Sequence, residues 1–161
     1  MKIISVANQK GGVGKTTTAV NLAAVLASTK RKLLLIDLDS QGNATTASGL
    51  KKENTLLGLF EGKSINEIVV SSNNGYDVIP GGEDLVALEA HIRTEPKKGF
   101  IEESLSGLKY DFVIIDTPPA LNSLTVEALI SSVGTLVPLQ CEYYSLEGIS
   151  SLLNTITSLG N

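Results

Sequence analysis

Apolar positions along this chain follow two rhythms. Short, nearly unbroken runs of β-branched residues and leucine occur at Ile3-Ile4-Ser5-Val6-Ala7, Lys32-Leu33-Leu34-Leu35-Ile36-Asp37, Tyr76-Asp77-Val78-Ile79-Pro80, Tyr110-Asp111-Phe112-Val113-Ile114-Ile115-Asp116 and Thr135-Leu136-Val137-Pro138-Leu139-Gln140. These runs predict strands, with 76–80 as a candidate, and the unbroken apolarity of the second one fits a strand covered on both faces. Between them, helical spacing predicts helices over 17–27, roughly 83–92 and 97–107, and a last one from near Ser145. Residues 40–75 are rich in Gly, Ser, Asn and Thr and predict short helices, with Ser64-Ile65-Asn66-Glu67 as a candidate capping box. Pro80-Gly81-Gly82 marks the end of the third strand. Strands alternating with helices are the pattern of an α/β fold, and nothing repeats internally. The expectation is one domain over 1–161, three layers deep, with a mainly parallel sheet flanked by helices.

Chemistry enters where the strands end, because ligands of open parallel sheets bind beyond the carboxyl ends of the strands. The first strand runs into Gln9-Lys10-Gly11-Gly12-Val13-Gly14-Lys15-Thr16-Thr17, directly before a helix. This is a phosphate-binding loop of variant form, with Gln9 where the usual pattern G-x-x-x-x-G-K-[ST] has glycine, and with a second lysine, Lys10. Gly11, Gly12, Val13 and Gly14 bring backbone N–H groups close to a polyphosphate. Lys15 supplies charge to its terminal phosphates, Thr16 offers a hydroxyl to Mg²⁺, and the helix N-terminus faces the anion. The second strand ends in Asp37-Leu38-Asp39 and the fourth in Asp116-Thr117-Pro118-Pro119. A lone aspartate at a strand end is more often a turn former. Three chemically capable strand ends converging on one place predict a Mg²⁺–nucleotide site, with Asp116 reaching the metal.

Composition narrows the partners. Of 161 residues, 42% are hydrophobic, enough for a core, and the net charge of -4 argues against a globally basic nucleic-acid binder. A single cysteine, Cys141, has no internal partner, which suits a reducing compartment, and no apolar stretch is long enough to span a bilayer. The expected location is the cytoplasm. His91, the only histidine, is expected on a helix surface and rules out a two-histidine metal site within this chain. Tyr143 and Tyr144 at a strand–helix junction are expected to pack. The basic doublets and triplet at Lys30-Arg31-Lys32, Lys51-Lys52 and Lys97-Lys98 read as solvated faces.

Taken together, Lys10-Gly11-Gly12-Val13-Gly14-Lys15-Thr16-Thr17, Asp37-Leu38-Asp39-Ser40-Gln41-Gly42-Asn43-Ala44-Thr45 and Ile114-Ile115-Asp116-Thr117-Pro118-Pro119 resemble the ParA/Soj partition ATPases of the deviant Walker A group. The likeness runs from Lys2 to about Gly148, with one departure at Ser40, where that family commonly has proline; a looser turn is the expected effect. The resemblance implies a P-loop NTPase-type fold, truncated at its C-terminus relative to family members, with ATP and Mg²⁺ as ligands. It implies roles for single residues: Lys15 on the β- and γ-phosphates, Thr17 near the α-phosphate, and Lys10 reaching a partner subunit's nucleotide. Asp39 would orient the attacking water, while Thr16, Asp37 and Asp116 would serve the metal, Asp37 from its outer shell. It further implies an ATP-dependent homodimer, a ParB-type partner, non-specific DNA bound through the absent C-terminal part, and a place at the bacterial nucleoid. The alternatives are a MinD-like positioning ATPase, which needs an amphipathic C-terminal anchor, or a nucleotide-dependent adaptor with little turnover.

Overall fold

The structure is a computed structural model and describes residues 1–7, 13–138 and 154. The expectations for Gln9, Lys10, Gly11 and Gly12, for Leu139-Gln140, and for Cys141, Tyr143, Tyr144 and the helix from Ser145 lie outside the described residues.

Strand β1 (Lys2–Val6) leads to helix α1 (Val13–Ser28) and strand β2 (Leu33–Asp37). A short helix α2 (Asn43–Ala47), a 3₁₀ turn (Leu56–Glu61), helix α3 (Ile65–Ile68) and the hairpin-like pair β3 (Val70–Ser71) and β4 (Asp77–Ile79) follow. Helices α4 (Leu85–Thr94) and α5 (Phe100–Leu105) precede β5 (Phe112–Asp116), and α6 (Ser123–Ser131) leads to β6 (Gly134–Leu136). The sheet order is β3-β4-β2-β5-β1-β6, parallel throughout except for the β3–β4 pair. Strand β5 lies between β1 and β2, and its register sets Val6 and Asp37 on either side of Asp116.

Alternation within strands divides the core into two layers. Leu34 and Ile36 of β2, with Ile3, Val113 and Ile115, face the side covered by α4, α5 and α6. Leu33 and Leu35, with Val6, Val78 and Ile114, face Ala19 and Ala23 of α1. Every residue of β2 is buried, which is why its sequence is apolar without a break. No described helix is long and apolar enough to cross a membrane.

Helix α1 begins at Val13 rather than at Thr17, so Gly14, Lys15 and Thr16 belong to its first turn. Helix α6 has no counterpart in the pattern reading. Its Ser-Leu-Thr-Val-Glu-Ala-Leu-Ile-Ser sequence is buried at Leu124, Thr125, Glu127, Ala128, Leu129 and Ser131, so it shows no polar stripe by which to recognise it. The missed signal was Asn122, whose side chain caps the helix by accepting the Thr125 amide at 3.1 Å. Strand β3, two exposed residues long, is too short to leave a period. Ser64 does stand at the N-cap of α3, but its side chain makes no capping bond and the box does not close.

Candidate functional site

Lys15 and Thr16 leave the first turn of α1 and meet the end of β5. The Lys15 ammonium donates to Asp116 Oδ1 at 2.5 Å and lies 4.0 Å from Asp39 Oδ2. Thr16 Oγ1 donates to Asp116 Oδ2 at 3.3 Å. A helix start carries backbone N–H groups with no partner inside the helix, so this lysine and hydroxyl stand beside a ready anion site. Thr117, next along, is tied to β1 by its own amide and hydroxyl, which donate to the Val6 carbonyl at 3.2 and 2.9 Å. The loop after β5 is thereby pinned to the strand that delivers the glycine loop.

The end of β2 is held by its own aspartates. Asp37 Oδ1 accepts the Asp39 amide at 3.0 Å, while Oδ2 accepts the amide and hydroxyl of Thr45 at 2.9 and 2.7 Å. Asp39 Oδ1 accepts the Gln41 amide at 3.0 Å, and the Gly42 amide closes on the Asp39 carbonyl at 2.9 Å. The turn around Ser40 is thus closed by two hydrogen bonds to Asp39. Gly42 carries it at φ 66°, a left-handed conformation that glycine adopts without strain.

All four ionisable groups are out of water: Asp37 and Asp116 are 0% exposed, Lys15 2% and Asp39 4%. Burial pushes the Asp116 carboxyl up to about 6, against the pull of the Lys15 charge, with Asp37 and Asp39 adding to the rise. Burial also raises Asp37, opposed by its hydrogen bonds from Thr45 and Asp39. One ammonium among three buried carboxylates leaves local negative charge in excess, and such a site favours a further cation. Among the described residues no group of three or more His, Cys, Asp or Glu side chains forms a cation cage of its own. The Thr16 hydroxyl and Asp116 carboxylate are instead a small set of hard oxygen donors. That set fits Mg²⁺, which takes few protein ligands and shares the rest of its shell with phosphate and water.

Of the three strand ends expected to converge, those of β2 and β5 meet the described part of the glycine-loop motif, Lys15 and Thr16. Lys15, Thr16, Asp39 and Asp116 come together, Asp37 stands directly behind Asp39, and Thr17 follows in α1. Sequence reasoning gave Thr45 no role beyond its place in the motif, and Gly81 none beyond the turn after the third strand. The Gly81 amide donates to Thr45 Oγ1 at 2.8 Å, and a Cβ at Gly81 would lie 2.6 Å from the Asp37 carboxyl carbon. Pairing of β4 with β2 is what carries Gly81 there, and no local pattern announces it. His91 is exposed on α4 as expected, its ring stacked 6.1 Å from that of Phe60. An apolar cleft of about 560 Å³ runs between α4 and α6 past Ile92, Val126 and Ile130.

A protein-family model described as an AAA domain matches residues 1–161. The chain is 44% identical to the chromosome partitioning protein ParA of Myxococcus xanthus, covering 96% of this chain and 58% of that one. It is also 44% identical to the chromosome-partitioning ATPase Soj of Thermus thermophilus, covering 95% and 60% respectively. It therefore spans about three fifths of the length of these curated relatives. Among solved structures, cobyrinic acid a,c-diamide synthase from Mycobacterium smegmatis, with bound ATP analog and magnesium, superposes with a TM-score of 0.91 at 33% identity. That match covers 99% of this chain and 68% of the synthase.

Proposed function

The chain belongs to the AAA-domain family that matches its whole length, and within it to the ParA/Soj partition ATPases; from that premise we propose that it binds ATP with Mg²⁺ and hydrolyses it to ADP and phosphate as a switch in chromosome or plasmid partition. The observation that supports this reading most is the buried meeting of Lys15, Thr16, Asp39 and Asp116 at the start of α1. In this reading Lys15 exchanges its carboxylate partner for the terminal phosphates, and Thr16 and Asp116 would hold Mg²⁺. When bound, the metal neutralises charge on the β- and γ-phosphates. Gly11, Gly12, Val13, Gly14 and Thr17 cradle the phosphate chain. Asp39 orients the attacking water, since its Oδ2 accepts no hydrogen bond among the described residues and faces Lys15. Such a reaction depends on positioning and electrostatics, so one missing charge slows it severely.

Lys10 supplies that charge from a second subunit, so that an ATP-dependent homodimer is the active form and turnover by a lone subunit is slow. A ParB-type partner stimulates release, and DNA is bound without sequence preference by the assembled protein in the cytoplasm, at the nucleoid. The relatives' names speak of chromosome partitioning, which supports the reading.

Two lysine variants test it, by ATP-analogue binding and sizing chromatography. Lys15→Ala is expected to abolish ATP binding; Lys10→Ala is expected to keep binding and lose the ATP-dependent dimer. Equal loss of binding in both would remove the role in trans. Asp39→Ala is expected to hold ATP without releasing phosphate, and undiminished release would take the water-orienting role from it.

A further inference from the structure

We propose that Thr45 is a positioning residue for hydrolysis, acting through the Asp37 carboxylate to hold Asp39 in place beside the Lys15 ammonium. The inference rests on the ATPase reading above and says how the end of β2 is held for it.

The hydrogen bonds run in one direction. Gly81 donates its amide proton to Thr45 Oγ1 at 2.8 Å, so the single hydroxyl proton of Thr45 is left to point at Asp37 Oδ2, 2.7 Å away. The Thr45 amide joins it on the same oxygen at 2.9 Å, and the Asp39 amide takes the other oxygen at 3.0 Å. Asp37 is completely buried and so is Thr45. With three protein donors on its two oxygens, the Asp37 carboxylate is engaged by its own chain, and what it holds is the backbone of Asp39. Asp116 is likewise engaged, by Lys15 and Thr16. Asp39 alone of the three keeps an oxygen without a hydrogen bond from the described residues, and that oxygen is 4.0 Å from the Lys15 ammonium. The arrangement divides the labour: Asp37 and Thr45 lock three elements together, β2, α2 and the end of β4, while Asp39, among the described residues, keeps one oxygen without a hydrogen bond.

A displaced Asp39 would still leave Lys15 and Thr16 held by Asp116. The hydroxyl therefore belongs to the rate and not to nucleotide affinity, because a misplacement of about 1 Å can cost on the order of a hundredfold in rate. The test compares Thr45→Val, which keeps shape and loses the hydroxyl, with Thr45→Ser, which keeps the hydroxyl. Steady-state turnover and the affinity for a fluorescent ATP analogue with Mg²⁺ are measured on the full chain. Amide hydrogen exchange at Asp39 and Gly81 is followed in the absence of nucleotide.

Thr45→Val is expected to lower kcat by at least about tenfold while analogue affinity stays within about threefold. Exchange at both amides should rise in that variant, and Thr45→Ser should restore kcat and protection. Unchanged kcat in Thr45→Val, a loss shared equally by affinity, exchange that does not rise, or no rescue by serine would each overturn the proposal. If Thr45→Val does not fold, Thr45→Ala takes its place; failure of both to fold would assign the hydroxyl to stability alone and overturn it as well. Absence of turnover in the unmodified chain would be a different failure, bringing down the ATPase reading itself and this inference with it.

Discussion

Glu127 shows how much a single side chain can depend on contacts remote in sequence. It sits on α6 at 3% exposure, and its Oε1 accepts the Ile101 amide of α5 at 3.3 Å. Burial raises its carboxyl above the ordinary value of 4.5, opposed by the amides of Ile101, Phe100 and Gly99. Because the folded value lies above the unfolded one, the folded chain holds the extra proton in the window upward from pH 4.5. Stability contributed by the neutral acid is therefore present below that window and is lost as pH rises through it. Glu127→Gln, which stays neutral, is expected to be more stable relative to the unmodified chain at pH 7 than at pH 4, in nucleotide-free thermal unfolding. A difference that does not change with pH would show that Glu127 titrates as it does in the unfolded chain.

Elements carry the next set of consequences. Leu34 and Leu35 are adjacent in β2 and both 0% exposed, yet they belong to opposite layers of the core. Leu34→Ala and Leu35→Ala should each cost about 2 to 5 kcal/mol in urea unfolding, since each deletes a well-packed side chain. A clearly smaller loss for one would mean that its layer is loosely packed. At α6 the Asn122 cap is expected to be worth about 1 kcal/mol when replaced by alanine. The same two elements show why some structure was legible and some was not. Strand β2 carries its burial in every residue, so its pattern is self-evident, whereas α6 is buried on most of its circumference and its helical period is hidden. Lys15, Thr16, Asp39 and Asp116 were legible because motif residues and strand ends are local signals. Thr45 and Gly81 were not, because their role arises only when β4 pairs beside β2.

For the whole molecule, the proposed exchange of Lys10 between subunits makes association the measurable event. Sizing chromatography of a chain extended to the relatives' length is expected to show a dimer with ATP and Mg²⁺ and a monomer with ADP. DNA binding by that dimer should weaken steeply with salt, as phosphate contacts require. A dimer indifferent to the nucleotide would detach Lys10 from the switch. The net charge of -4 means that any DNA contact must be a local surface property and not a consequence of overall charge.

By itself the sequence determined the α/β alternation, the burial of β2 and β5 and the identity of the phosphate-loop and strand-end residues, because each of these is written in a window of a few neighbouring positions. Tertiary structure alone decided that β5 lies between β1 and β2, that Lys15 is shared by Asp116 and Asp39, and that Thr45 bridges Asp37 to Gly81. Those outcomes depend on strand order and register, which are set by how two apolar layers close over one sheet.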